Sequence, residues 1–129
     1  MKLPAGAGTK PADALRELDY IDAVAAHSAG TFRRFCTLTE QYFDKYGKDE
    51  HSGRLFQLVL NGLTWRVRDR VHLDDLPKNT DGAAWMKRWR KLKVKHGRGC
   101  SKMREQSLAL AYRRWQAVAK SARQAHPPR

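Results

Sequence analysis

The chain has 129 residues, with 26 Lys and Arg against 13 Asp and Glu, a formal net charge of +13 and a pI near 10.3. That length suits one domain with a single ordinary core, and the charge points to a polyanionic partner. Phe, Leu, Val, Tyr and Trp are dense from Phe32 to Val71, which argues against a purely disordered basic tail. No apolar run approaches the ~20 residues of a membrane span, and Met-Lys-Leu-Pro-Ala-Gly-Ala-Gly at the start lacks the apolar segment of a signal peptide. The expectation is a cytoplasmic protein with no membrane contact and with Cys36 and Cys100 reduced.

The charge is unevenly placed. From Met1 to Asp75 the chain carries 11 Lys and Arg and 11 Asp and Glu. Residues 76–129 carry 15 Lys and Arg against only Asp81 and Glu105, so the whole excess lies there.

In chain order, residues 1–10 are Gly-rich and Pro-bounded and are expected to form a flexible leader. A first helix is predicted over Pro11–Ala29, with Pro11 in the first turn, Asp13 and Glu17 toward the positive end of the dipole, and Gly30 at the exit. Leu18, Ile21, Val24 and Ala25 form its expected apolar face. Thr31 can cap a second helix ending at Gly47, where Phe32, Phe35, Cys36, Thr39, Tyr42, Phe43 and Tyr46 recur at helical spacing.

The segment from Arg54 to Leu73 reads two ways. At 100° per residue, Leu55, Phe56, Val59, Leu60, Leu63, Val67 and Val71 share an arc of about 160°. At 180° per residue, Trp65, Val67, Val71 and Leu73 alternate with Arg66, Arg68, Arg70 and His72, and Asn61-Gly62 stands where a type I′ turn would fall. The helix is preferred, because Asp69 would sit on the apolar face of a hairpin and a lone hairpin is marginal.

Asp74 to Thr80 reads as a loop with a solvated acidic pair. Asp81 can cap a fourth helix from Gly82 to about His96, striped by Trp85, Met86, Trp89 and Leu92. Gly97-Arg98-Gly99 breaks it, and Ser101 caps a fifth helix to about Arg123, with Leu108, Ala111, Tyr112, Trp115, Val118, Ala119 and Ala122 on one side. Residues 124–129, with two prolines, should fray. The expected architecture is an all-α bundle of about five helices over 11–123, with a neutral half (11–75) and a basic half (76–123). The alternative is α+β with a hairpin at 54–73. Phe35, Phe43, Leu55, Val59, Leu63, Trp89, Leu108 and Trp115 are the expected core.

Lys87, Arg88, Arg90, Lys91 and Lys95 fill the arc opposite Trp85 and Trp89 on the predicted fourth helix. Arg98 in the glycine turn and Lys102 and Arg104 at the start of the fifth extend that surface, since a helix N-terminus with flanking cations suits phosphate. Arg66 and Arg68, with Arg70, form a second cluster. Arg66 and Arg70 either extend the surface or pair with Glu40 or Asp44. Trp85, Trp89 and Trp115 lie on apolar faces and are read as core, whereas Trp65 lies off the apolar arc and is expected to be the most exposed of the four, with stacking on a base as an alternative role. His96 and Cys100 stand four apart, but no second close pair completes a zinc set, so no metal and no small-molecule cofactor is expected.

In size, basicity and helical pattern the chain is similar to small helical subunits of CRISPR effector complexes and to phage or plasmid DNA-binding proteins. The resemblance is one of overall profile and carries over no functional residue. The leading expectation is a non-enzymatic protein that binds DNA or RNA by its phosphates, alone or within a larger nucleoprotein complex, with the neutral half contacting protein. Three alternatives stand beside it. One is a helix-turn-helix regulator built from the last two helices. Another is an interaction module or inhibitor docking an acidic partner. The third is a metal-independent ribonuclease with His72 as base and Arg66, Arg68 or Arg70 stabilising charge.

Overall fold

The computed structural model describes residues 11–95 and 100–125. They form five α-helices: α1 (Pro11–Ala29), α2 (Phe32–Tyr46), α3 (Glu50–Asp69), α4 (Gly82–Lys91) and α5 (Lys102–Ala125). A short 3₁₀ turn covers Leu73–Asp75. The leader 1–10, the turn 96–99 and the tail 126–129 lie outside the described residues.

Local chemistry sets the boundaries. Thr31 caps α2 by accepting from the Arg34 amide, and Asp75 reaches across to accept from the Phe32 and Arg33 amides at 2.8 and 3.2 Å. The acidic pair is therefore not simply solvated: Asp75 supplies the carboxylate that the positive end of α2 favours. Arg33 closes the same junction by donating to the Asp74 and Leu76 carbonyls.

Helix α3 starts earlier than the predicted Arg54 because Asp49 and Ser52 form a capping box, each side chain bonded to the other's backbone amide. It ends earlier too, at Asp69, where Arg70 adopts a left-handed conformation. The hairpin alternative is not borne out. Asn61-Gly62 continues the helix, and a Cβ on Gly62 would lie 2.3 Å from the Phe32 ring. The glycine lets α2 and α3 approach closely, which offsets its low helix propensity.

Helix α4 stops at Lys91 instead of reaching about His96. Leu92 turns extended, Val94 makes a single antiparallel bridge to Gly47, and the Lys48 amide donates to the Lys93 carbonyl at 2.9 Å. Gly47 permits this approach: its φ is 69°, and a Cβ there would meet the Lys93 carbonyl at 2.4 Å.

Helix α3 is the hub, touching all four others, with its longest packing line against α5. The eight expected core residues are all buried. Phe43, Phe56, Trp85 and Trp89 form an aromatic cluster in which Phe56 and Trp89 stack at 5.3 Å. Beside it lies a buried polar knot. Asp49 is 3% exposed and accepts from Arg16 at 3.0 Å, from the Tyr42 hydroxyl at 2.8 Å and from the Ser52 amide at 2.8 Å. The Cys100 thiol donates to the Asp49 carbonyl, so one acid ties α1, α2, α3 and the approach to α5 together.

The first helix departs most from expectation. Leu18 and Ile21, expected to face the core, are 57% and 55% exposed, as is Leu15 at 53%. Its inward side is Arg16, Asp19, Tyr20, Ala23, Ala26 and His27. Ion pairs and hydrogen bonds fix that side: Arg16 to Asp49, Asp19 to Tyr46 and Lys45, and Glu17 at the edge to His51. Polar pairing, not the apolar stripe, sets the rotation of α1.

Candidate nucleic-acid interface

Helix α4 buries Gly82, Trp85, Met86 and Trp89, so Lys87, Arg90 and Lys91 point to solvent. Arg88 lies on the flank and turns inward. It pairs with Asp44 and, at 3.8 Å, with Glu40, and its guanidinium lies over the Phe43 ring. The two acids expected to meet Arg66 or Arg70 are thus taken by Arg88, which clamps α4 to α2 and is withdrawn from the expected surface.

Lys95 is exposed but leaves the predicted helix face, because the chain beyond Lys91 runs extended past Gly47. Lys102 is exposed in the first turn of α5. Arg104, two residues further on, is half-buried and donates to the Gln57 side chain of α3. Arg98 lies outside the described residues, as does His96.

The second cluster comes apart. Arg66 lies between two rings, 4.1 Å from the centre of Phe32 and 4.4 Å from that of Trp65, and donates to the Gly62 carbonyl. Its desolvation lowers its pKa. Arg68 pairs with its neighbour Asp69 at 2.8 Å. Trp65 is therefore already faced by Arg66, with His72 edge-on at 6.0 Å. Among the described residues no group of three or more His, Cys, Asp or Glu is arranged to hold a metal ion.

Packing also creates a feature that helix-by-helix reading misses. Between α4 and α5 lies an open cleft of about 460 Å³, lined by Lys48, Arg90 and Arg113, with Glu105, Tyr112 and Gln116 on its walls and Trp89 in its floor. Arg90 stands 6.0 Å over the Tyr112 ring, and the Lys48 ammonium 4.7 Å over Trp89. Lys48 was hidden by its place in the neutral half. Arg113 is not among the expected contact residues, yet its spacing of 11 from Lys102 places both on one side of α5. Lys120 continues that row, spanning about 27 Å along the axis at 1.5 Å per residue.

The only two acids of the basic half are engaged. Asp81 caps α4 by accepting from the Ala83 amide at 2.9 Å, and Glu105 faces the Trp89 indole N–H at 3.5 Å. Among the described residues, Arg88 is the one cation beyond Leu76 held in an ion pair. No helix among them is long and apolar enough to cross a membrane. Comparison with protein-family models, with curated proteins and with solved structures returns no match.

Proposed function

We propose that the protein is a non-enzymatic nucleic-acid-binding protein that holds the phosphate backbone on the α4–α5 side. Lys87, Arg90 and Lys91 present one bank of cations, the row Lys102, Arg113 and Lys120 presents another, and Lys48 and Arg90 meet in the cleft between them. The observation that carries this reading is the lack of internal neutralisation. The fold uses Arg16, Arg68 and Arg88 in ion pairs with its own acids, yet leaves the outer cations of α4 and α5 without a partner acid among the described residues. Holding like charges together costs free energy that a bound polyanion recovers through counterion release.

Tyr112 and the arginines around it favour a strand whose bases can reach an aromatic wall, with phosphates on either bank. Arg66 and Arg88, engaged by rings and acids of the fold, and Arg68, paired on the surface with Asp69, have supporting roles in this reading.

Charge reversal at Lys87, Arg90 and Lys91 tests it. These side chains face away from the buried tryptophans, so helicity should stay unchanged while binding weakens alike for all sequences, the salt slope falling by about one unit per lost phosphate contact. Reversal at Arg34 and Arg54, exposed cations of the neutral half with no ion pair among the described residues, should leave binding nearly normal. The opposite pattern would move the binding surface to the neutral half.

A further inference from the structure

Helix α1 is turned with its apolar side outward. Pro11, Ala14, Leu15, Leu18, Ile21 and Ala25 share that side at helical spacing, and the three large ones are each more than half exposed. An isolated exposed leucine needs no explanation, whereas a contiguous stripe marks an interaction surface. Its edges are acidic: Asp22 is exposed on one, and Glu17, whose half-exposed carboxylate also pairs with His51, stands on the other. This is an acidic patch on a molecule of net +13.

The same chain carries a counterpart. On α5, Met103, Leu110 and Ala117 repeat every seven residues along the solvent side, with Met103 76% and Leu110 49% exposed. Lys102 and Arg113 flank this line on one side and Arg114 on the other, all exposed. The α4–α5 cleft lies beyond the Lys102–Arg113 row, so the apolar line is adjacent to the cleft and separate from it.

We infer that α1 of one molecule docks on the Met103–Leu110–Ala117 side of α5 of a second copy. Charge complementarity selects this pairing. Two α1 faces brought together would oppose Asp22 and Glu17 to their own kind, and two α5 faces would oppose cations to cations. The α1–α5 pairing sets acids against cations around an apolar seam, the arrangement that favours one partner and disfavours others. The contact is head-to-tail: each copy keeps a free α1 at one end and a free α5 face at the other, so association continues beyond a dimer until it closes into a ring or runs on as a filament. The docking shares Lys102 and Arg113 with the phosphate-binding row proposed above, so its test is run in the absence of nucleic acid.

Sedimentation velocity on protein freed of nucleic acid by nuclease and high salt tests it over a concentration series. The wild type should rise from the 14.8 kDa monomer past the dimer. The pairs Leu18→Gln with Ile21→Gln and Met103→Gln with Leu110→Gln alter exposed side chains only, which an unchanged helical spectrum would verify. Each should weaken self-association at least about a hundredfold. Asp22→Lys, at a side chain with no hydrogen bond or ion pair among the described residues, should weaken it as well. Mixed in equal amounts, the two double variants should form a dimer and stop there, because one intact α1 meets one intact α5 face. A wild type that stays monomeric overturns the inference, as does an α5 variant that assembles normally or a mixture that remains monomeric.

Discussion

Asp49 shows how much of this fold rests on one side chain. Its carboxylate is buried and takes Arg16, the Tyr42 hydroxyl and the Ser52 amide together. Removing it strands a partly buried guanidinium and a buried hydroxyl, and leaving such groups without their partner costs about 1–3 kcal/mol. Asp49→Ala should lower the free energy of urea unfolding by about that amount, while Asp44→Ala, at an exposed carboxylate, should cost under about 1 kcal/mol. Sequence periodicity starts α3 at Arg54 and misses the Asp49–Ser52 capping box; Arg16 and Tyr42 as partners of Asp49 lie beyond its reach, because only tertiary packing brings them together. The thiols and Tyr42 give a second residue-scale expectation. Burial pushes Cys100 from the ordinary 9.0 up to about 11 and raises Cys36 and Tyr42 further, with Asp49 adding to the effect at Tyr42. The fold favours the neutral form of each group. The contribution of Cys100 is therefore fully present below about pH 9 and is lost as pH climbs through 11, while those of Cys36 and Tyr42 fall away at higher pH still. Urea midpoints should hold from neutrality to pH 9 and fall above it; a midpoint rising from pH 9 to 11 would contradict this.

Among the elements, α2 and α5 were plain in the sequence because each carries its apolar residues on one side and buries that side. For α3, type was legible and boundaries were not: the 3.6-residue period identified the helix, while the Asp49 cap and the left-handed Arg70 set its ends. Gly62 looked like turn chemistry because its value lies across the interface, under the Phe32 ring. Gly62→Ala should keep the helical spectrum and cost about 1–3 kcal/mol, since the added methyl drives that ring away; a neutral change would show that the contact gives way freely. The shortening of α4 and the rotation of α1 lay beyond single-element reading. The first follows from the extended segment around Lys93 packing against Gly47, the second from ionic partners on α2 and α3. In both, a contact between distant segments overrode the periodicity of the local one.

For the whole molecule, the division of charge was the most direct signal in the sequence, and packing sharpens it. Of the expected contact residues, Lys87, Arg90, Lys91 and Lys102 reach solvent around the α4–α5 side, joined by Lys48, Arg113 and Lys120. Lys95 is exposed away from the helix face. Arg66, Arg68, Arg88 and Arg104 are held by internal partners. Sequence spacing could sort cations by helix face and set Arg68 beside Asp69, but it could not reveal that Arg66, Arg88 and Arg104 find a ring, an acid or an amide oxygen about 30 to 50 positions away. The central claim is that the unneutralised cations hold phosphates, and the salt dependence of binding measures it most directly. With about 5–8 phosphates engaged, log K for a nucleic acid plotted against log salt should be linear with a slope of roughly −4 to −7. An affinity that stays constant from dilute to physiological salt would contradict it.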